Sequence, residues 1–293
     1  MEWVHRWRAL GVDCKVVASE PLDAAWCEAE VARAERALSR FDPQSELTAL
    51  CRRGSGTVSA ELQQVLLASI TIAHWTAGMV VPHLGATMAA IGYDRTYASI
   101  VPNADPIDLP VLPDWREIRV RGRQVQLPAG THLDLNGVAK GWLAQHIAER
   151  SGLARILVEV GGEVAVVAPA QDPWCVAIDH PTVAEPLALL SIGEGTVATS
   201  SVCERRWRRA GGTVHHIIDP RTGVPAVTDV RTASVIAADG VYAEAAAKVG
   251  ILLGAEAGIR WLTERGLAGL LYTADERILT TPAFATFLWE YDT

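Results

Sequence analysis

The order in which hydrophobic periods change along the chain limits its fold more than any other feature. Two segments with a 3.6-residue period come first. Cys27, Val31, Ala34, Leu38 and Phe41 form one, and Leu62, Val65, Leu66, Ile70 and Ala73 form the other, behind Ser59. Apolar residues at these steps share one helix face, and a serine ahead of the first turn caps it. Short apolar runs then dominate. Ile118–Val120 and Gln124–Leu127 read as a hairpin around Arg121-Gly122-Arg123, and Ile156–Val160, Val164–Val167, Trp174–Ile178, Leu187–Ile192, Thr196–Ser201 and Thr232–Ala237 read as strands. Helices follow over Val241–Leu253 and Ala255–Arg265, and then Leu267–Tyr272 with Ile278–Thr280 as a last hairpin. Strands that do not alternate regularly with helices argue against a doubly wound sheet. They favour an α+β fold with mixed, largely antiparallel sheets and packed helices. Residues 1–18 read as one strand entering the core, and Glu204–Arg209 as a solvated charged segment.

Composition narrows the function classes. The net charge of -8 disfavours nucleic acid as the main partner, because phosphate binding wants a basic patch. No apolar run reaches transmembrane length, so no membrane partner is expected. The first residues are charged and carry neither an apolar signal segment nor a lipobox, which makes the cytoplasm the expected compartment. Five scattered cysteines without a CxxC spacing suggest neither a disulfide framework nor a zinc site. Basic charge is nearly all arginine, and Lys15, Lys140 and Lys248 are the only lysines. A lysine inside a glycine-containing motif is therefore informative.

Three stretches carry candidate chemistry. His215–Pro225, HHIIDPRTGVP, joins two histidines and a buried isoleucine pair to a turn that Pro220 and Gly223 shape. A base candidate in the histidine pair thus stands near an acid, Asp219, and the basic Arg221 at a strand-to-turn junction, where a rigid strand mounts a functional loop. A surface turn with an incidental histidine pair is the competing reading. Leu133–Trp142, LDLNGVAKGW, leads through a glycine turn into a helix whose free N–H groups suit an anion. Lys140 lies in its first turns, where a cation without a ligand would oppose the helix dipole. Val158–Val164, VEVGGEV, holds paired glycines that permit close approach of backbone or ligand. The lone histidine of the apolar loop Val81-Pro82-His83 is, on local grounds, a packed residue.

Taken in order, these stretches resemble the ApbE family, the FAD:protein FMN transferases, over nearly the whole chain. SRFDPQSEL at Ser39–Leu47 is similar to that family's first turn, LDLNGVAKGW to its D-x-x-[GA]-x-x-K-G motif, VATSS at Val197–Ser201 to its T-S-G turn, and HHIIDPRTGVP to its most specific stretch. ADGVYAEAAAKVGILLG at Ala238–Gly254 lies where the family has a metal-binding A-D-A-x-x-T helix. The resemblance implies an ApbE-like, T-fold-related domain over 1–293, with 131–293 bearing most motifs and 1–130 a helical and strand part. It implies FAD as substrate, transfer of FMN to a Ser or Thr hydroxyl of an acceptor flavoprotein, and release of AMP. FAD binding without transfer, and hydrolysis of FAD to FMN and AMP, are the alternatives.

The resemblance also implies roles. His216 is the base and Asp219 its orienter. Leu10, Phe41, Val81, Pro82, His83, Asp134, Lys140, Thr199 and Ile217 contact the flavin nucleotide. The Gly137 carbonyl and the acid at position 244 hold Mg²⁺. Departures cluster there: the family's Asp is Glu244 and its Thr is Lys248. A protonated lysine does not ligate a metal, and Glu244 and Lys248 stand four residues apart in the favourable order for an ion pair. One reading is mutual neutralisation with no metal site. Another is that the Lys248 ammonium replaces part of the metal's charge.

Overall fold

The computed structural model describes residues 2–289. They form two compact units: the described parts of 1–28 and 227–293 with 140–204, and a second made of 29–139 with 205–226.

The first unit is built on an eight-stranded sheet. Its spatial order is Trp3–Ala9, Val12–Ala18, Ile156–Val160, Glu163–Val167, Glu194–Ser201, Val230–Ala237, Ala268–Thr273 and Ile278–Thr280. Every neighbouring pair is antiparallel. The expectation of one strand over residues 1–18 is corrected: two strands meet in register Ala9↔Val12 around Leu10 and Gly11. Both turn residues have positive φ, 55° and 69°, as a two-residue hairpin loop requires.

Central strands of this sheet are buried on both sides, so small polar residues such as Thr232 and Ser234 are enclosed along with the apolar ones and no wet face alternates with a dry one. One face meets the hairpin Trp174–Ile178 with Ala188–Ile192 and the short helical segment Pro282–Phe287. Val197, Ile236, Leu270 and Phe284 are part of that core. The helix Gly240–Leu253 lies on the strands Glu194–Ser201 and Val230–Ala237. Asp239 caps it by accepting the Val241 N–H at 2.8 Å. Its small residues let it settle deeply: a Cβ on Gly250 would stand 2.9 Å from Leu271 Cδ2.

Local caps shape the second unit. Ser45 accepts the Thr48 N–H at 3.1 Å and starts the helix Glu46–Arg53, which Gly54 ends at φ 73°. Ser59 caps Ala60–Trp75 as the sequence predicts. The hairpin Arg119–Arg121 with Gln124–Gln126 is present and gains a third strand, Ser55–Thr57. The reading of Glu204–Arg209 as solvated is corrected. Arg206–Arg209 is a strand paired with Gly212–His215. Trp207 is buried within it and donates from Nε1 to the Ile91 carbonyl at 2.8 Å. A charged run that carries one large aromatic has an inward face, and the charges conceal it.

Candidate functional site

In the second unit, hydrogen bonds tie the loop of Val81, Pro82 and His83 to the segment before the glycine turn. Pro82 O accepts the Asp134 N–H at 2.8 Å and His132 O accepts the Gly85 N–H at 3.0 Å. Gly85 must be glycine here, since its Cβ would lie 2.8 Å from two backbone oxygens. All three loop residues are buried. Burial pulls the His83 pKa down, with Asp114 and the Pro113 carbonyl opposing, and Nδ1 has no hydrogen-bond partner.

Asp134 is held by a residue that the motif reading missed. Arg40 Nε stands 2.9 Å from Asp134 Oδ2, with both side chains under one-tenth exposed. The same guanidinium lies 4.1 Å from the Phe41 ring centroid and 4.6 Å from that of Tyr93. Ser39 Oγ fixes this corner by accepting the N–H groups of Phe41 and Asp42. Asp134 Oδ1 in turn accepts the Asn136 N–H at 3.0 Å, a local turn that leads the chain through Gly137 into the helix Ala139–Ser151.

The two histidines separate in character. His215 Nε2 lies 3.0 Å from the Ala226 carbonyl, and its Nδ1 accepts the Ile217 N–H. This pattern assigns the neutral tautomer protonated at Nε2. Burial lowers its pKa. His215 is thereby a structural histidine, and His216, half-buried like it, stands at the bend that follows. Ile217 is buried and anchors the turn. Asp219 binds Arg221 through both carboxylate oxygens, and its pKa is lowered by those hydrogen bonds. Ile218–Asp219 pairs with Val224–Pro225 around them.

In the first unit, Lys140 and Gly141 meet the helix Gly240–Leu253. A Cβ on Gly141 would collide with the Gly240 carbonyl, and one on Gly240 with the Gly141 carbonyl. Only glycines allow the two backbones so close. At this crossing Glu244, with no exposed surface, accepts the Gly141 N–H on Oε2 at 3.0 Å. Its Oε1 takes two ammonium groups, Lys140 at 3.1 Å and Lys248 at 3.0 Å. Lys140 also pairs with Glu163, a buried acid just after the paired glycines.

Lys140 is therefore not an isolated cation opposing the helix dipole: it pairs with Glu163 and shares Glu244 with Lys248. Burial pushes the Glu163 carboxyl above the usual carboxylate range, with Lys140 opposing and Glu244 adding to the rise. Burial would raise Glu244 too, but Lys140, Lys248 and the Gly141 amide outweigh it and hold it below that range. Thr199 bonds Ser234 at 2.8 Å and closes on Gly162, whose carbonyl accepts its N–H at 2.9 Å. Leu10 sits in the strained hairpin turn.

The sequence profile of the ApbE family matches residues 10–271. The chain belongs to the ApbE family. It is 33% identical to a FAD:protein FMN transferase of Treponema pallidum, over 83% of this chain and 75% of that one. It is 27% identical to the FAD:protein FMN transferase of Escherichia coli K12, over 96% and 86%. Its fold resembles the ApbE protein of Thermotoga maritima at a TM-score of 0.85 and 23% identity, covering 99% of this chain and 100% of that one. It also resembles the flavinyl transferase ApbE of Pseudomonas stutzeri at 0.82 and 19%, covering 99% and 98%.

The donor set at position 244 does not fit the magnesium that an ApbE fold implies. Magnesium takes oxygen ligands in near-ideal octahedral geometry. Both oxygens of Glu244 are already engaged, one by the Gly141 amide and one by two cations, and the second of those cations, Lys248, occupies the fourth-residue position where the family offers an oxygen. No group of three or more His, Cys, Asp or Glu side chains among the described residues is placed to hold a metal. Gly137 belongs to the second unit. Arg40 and Glu163 are the site members that motif matching passed over. Glu163 was detectable as an acid following two glycines in an apolar strand. Arg40 had no comparable signal, because its partner Asp134 is distant in sequence. No helix among the described residues is long and apolar enough to cross a membrane.

Proposed function

We propose that this protein transfers FMN from FAD to a Ser or Thr hydroxyl of an acceptor protein and releases AMP. The observation that carries the reading is 33% identity to a FAD:protein FMN transferase across most of both chains. His216 takes the proton of the acceptor hydroxyl. The hydroxyl oxygen attacks the phosphorus on the riboflavin side of FAD, the bridging phosphorus–oxygen bond breaks, and AMP departs with its electron pair. Asp219 acts on His216 through the turn that it closes with Arg221.

Asp134, Lys140, Phe41, Thr199, Ile217, Leu10 and the Val81-Pro82-His83 loop hold the dinucleotide, with Arg40 orienting Asp134. The cytoplasm is the proposed compartment, supported by five cysteines that form no disulfide among the described residues.

The test incubates the protein with FAD and a Thr-containing acceptor peptide, reading covalent flavin fluorescence and AMP. Both signals are expected, and His216→Ala is expected to abolish them while FAD still binds. Turnover retained in that variant removes His216 from the role. AMP and free FMN without a labelled acceptor would replace transfer with hydrolysis, and FAD bound unchanged would replace it with a carrier.

A further inference from the structure

Glu244 and Glu163 are closed off, at 0% and 1% side-chain exposure, whereas Lys140 and Lys248 keep 16% and 19%. The acids are thus the inner layer of this cluster and the ammonium groups its outer layer. A metal-binding carboxylate would present its oxygens outward with nothing cationic in front of them. Here two ammonium groups sit on the oxygen that a cation would need. Lys248 reaches that oxygen from one turn along the same helix, and Lys140 from the helix that crosses it at paired glycines. The arrangement is held from two elements and does not depend on one mobile side chain.

We infer that this member of the family binds no divalent cation at Glu244, and that the Lys140 and Lys248 ammonium groups, anchored on that carboxylate, present the positive charge to an anionic diphosphate. Lys248 is thereby a substrate-binding residue. The diphosphate half of this inference rests on the proposed function, and the metal half does not. An ammonium is a monovalent point charge with hydrogen-bond donors, so the pair neutralises phosphoryl oxygens by donation and not by bridging them.

Two measurements test the halves separately. Mn²⁺ is titrated into purified protein and followed by electron paramagnetic resonance, for the wild type and for the double variant Glu244→Asp, Lys248→Thr. No saturable binding to the wild type and one bound ion in the double variant are expected. One bound ion in the wild type overturns the metal half. A folded double variant that also stays empty overturns it equally, because the lysine would then not be what excludes the metal.

FAD affinity is read by fluorescence quenching in EDTA for the wild type, Lys248→Met and Lys248→Arg. Loss of a charge-assisted contact predicts roughly 10- to 100-fold weaker binding for Lys248→Met, with Lys248→Arg close to wild type. Equal FAD affinity in Lys248→Met overturns the diphosphate contact. Wild type that fails to bind FAD at all overturns the proposed function, and the Mn²⁺ result stands apart from it.

Discussion

Gly141→Ala sets two physical effects against each other with opposite signs. In an exposed helix interior the change is favourable by about 1 kcal/mol, because alanine restricts the unfolded chain and is the better helix former. At this position the new Cβ would overlap the Gly240 carbonyl oxygen, stand 2.7 Å from its carbon and 3.3 Å from Glu244 Cβ. The obstacle is backbone, so relief requires the two helices to part. Overpacking of this kind costs about 1–3 kcal/mol. Separation also stretches the 3.0 Å bond from Gly141 N–H to Glu244, a hydrogen bond to a charged group worth about 1.5–3 kcal/mol. Setting the helix gain against these two losses leaves a net destabilisation of about 1.5–5 kcal/mol. For a unit of this size that lowers the melting midpoint by roughly 3–20 °C. Differential scanning calorimetry of the two proteins measures it. A variant that melts at or above the wild-type temperature would refute the close crossing, and with it the reason that Lys140 and Glu244 meet.

Leu10→Asn should stabilise the first hairpin by about 1 kcal/mol, since asparagine tolerates the φ of 55° that leucine resists; urea titration gives the value, and a simultaneous loss of FAD affinity would mark the strained leucine as a flavin contact. His83 supplies a pH test. Its pKa is lowered in the folded state, so as pH falls below the ordinary value of 6.5 the unfolded chain takes up the proton first. Stability from this group is complete above pH 6.5 and declines as pH falls toward the folded value. His83→Gln should remove that share of the acid-side slope, and an unchanged slope in urea melts between pH 7 and pH 5 would sink the assignment.

Elements with one wet and one dry face were plain in the sequence, as were those with caps. Ser59 and the 3.6-residue spacing behind it placed the helix Ala60–Trp75. The apolar run Trp174–Ile178 read as a strand, although its alternating burial did not show in the residues themselves. What escaped was decided by partners far along the chain. Trp207 looked like part of a charged run because nothing local reveals the Ile91 carbonyl that its indole meets. The hairpin at Leu10 was hidden because leucine is a poor residue for a turn with positive φ. The Glu244–Lys248 pair was legible from its spacing, whereas Lys140 joining it was not, since that contact spans the chain from one helix to another.

The first sheet has a consequence for synthesis on the ribosome. Val12–Ala18 must pair with Ile156–Val160, which is made roughly 140 residues later. At about 5–20 residues per second, the N-terminal hairpin waits roughly 10–30 s with one edge open before its neighbour emerges. The nascent chain can complete helices such as Glu46–Arg53 and Ala60–Trp75 in that interval. The sheet itself closes only when the last third of the polypeptide is available, so truncated products carry an unpaired, apolar strand edge and are natural clients for chaperones.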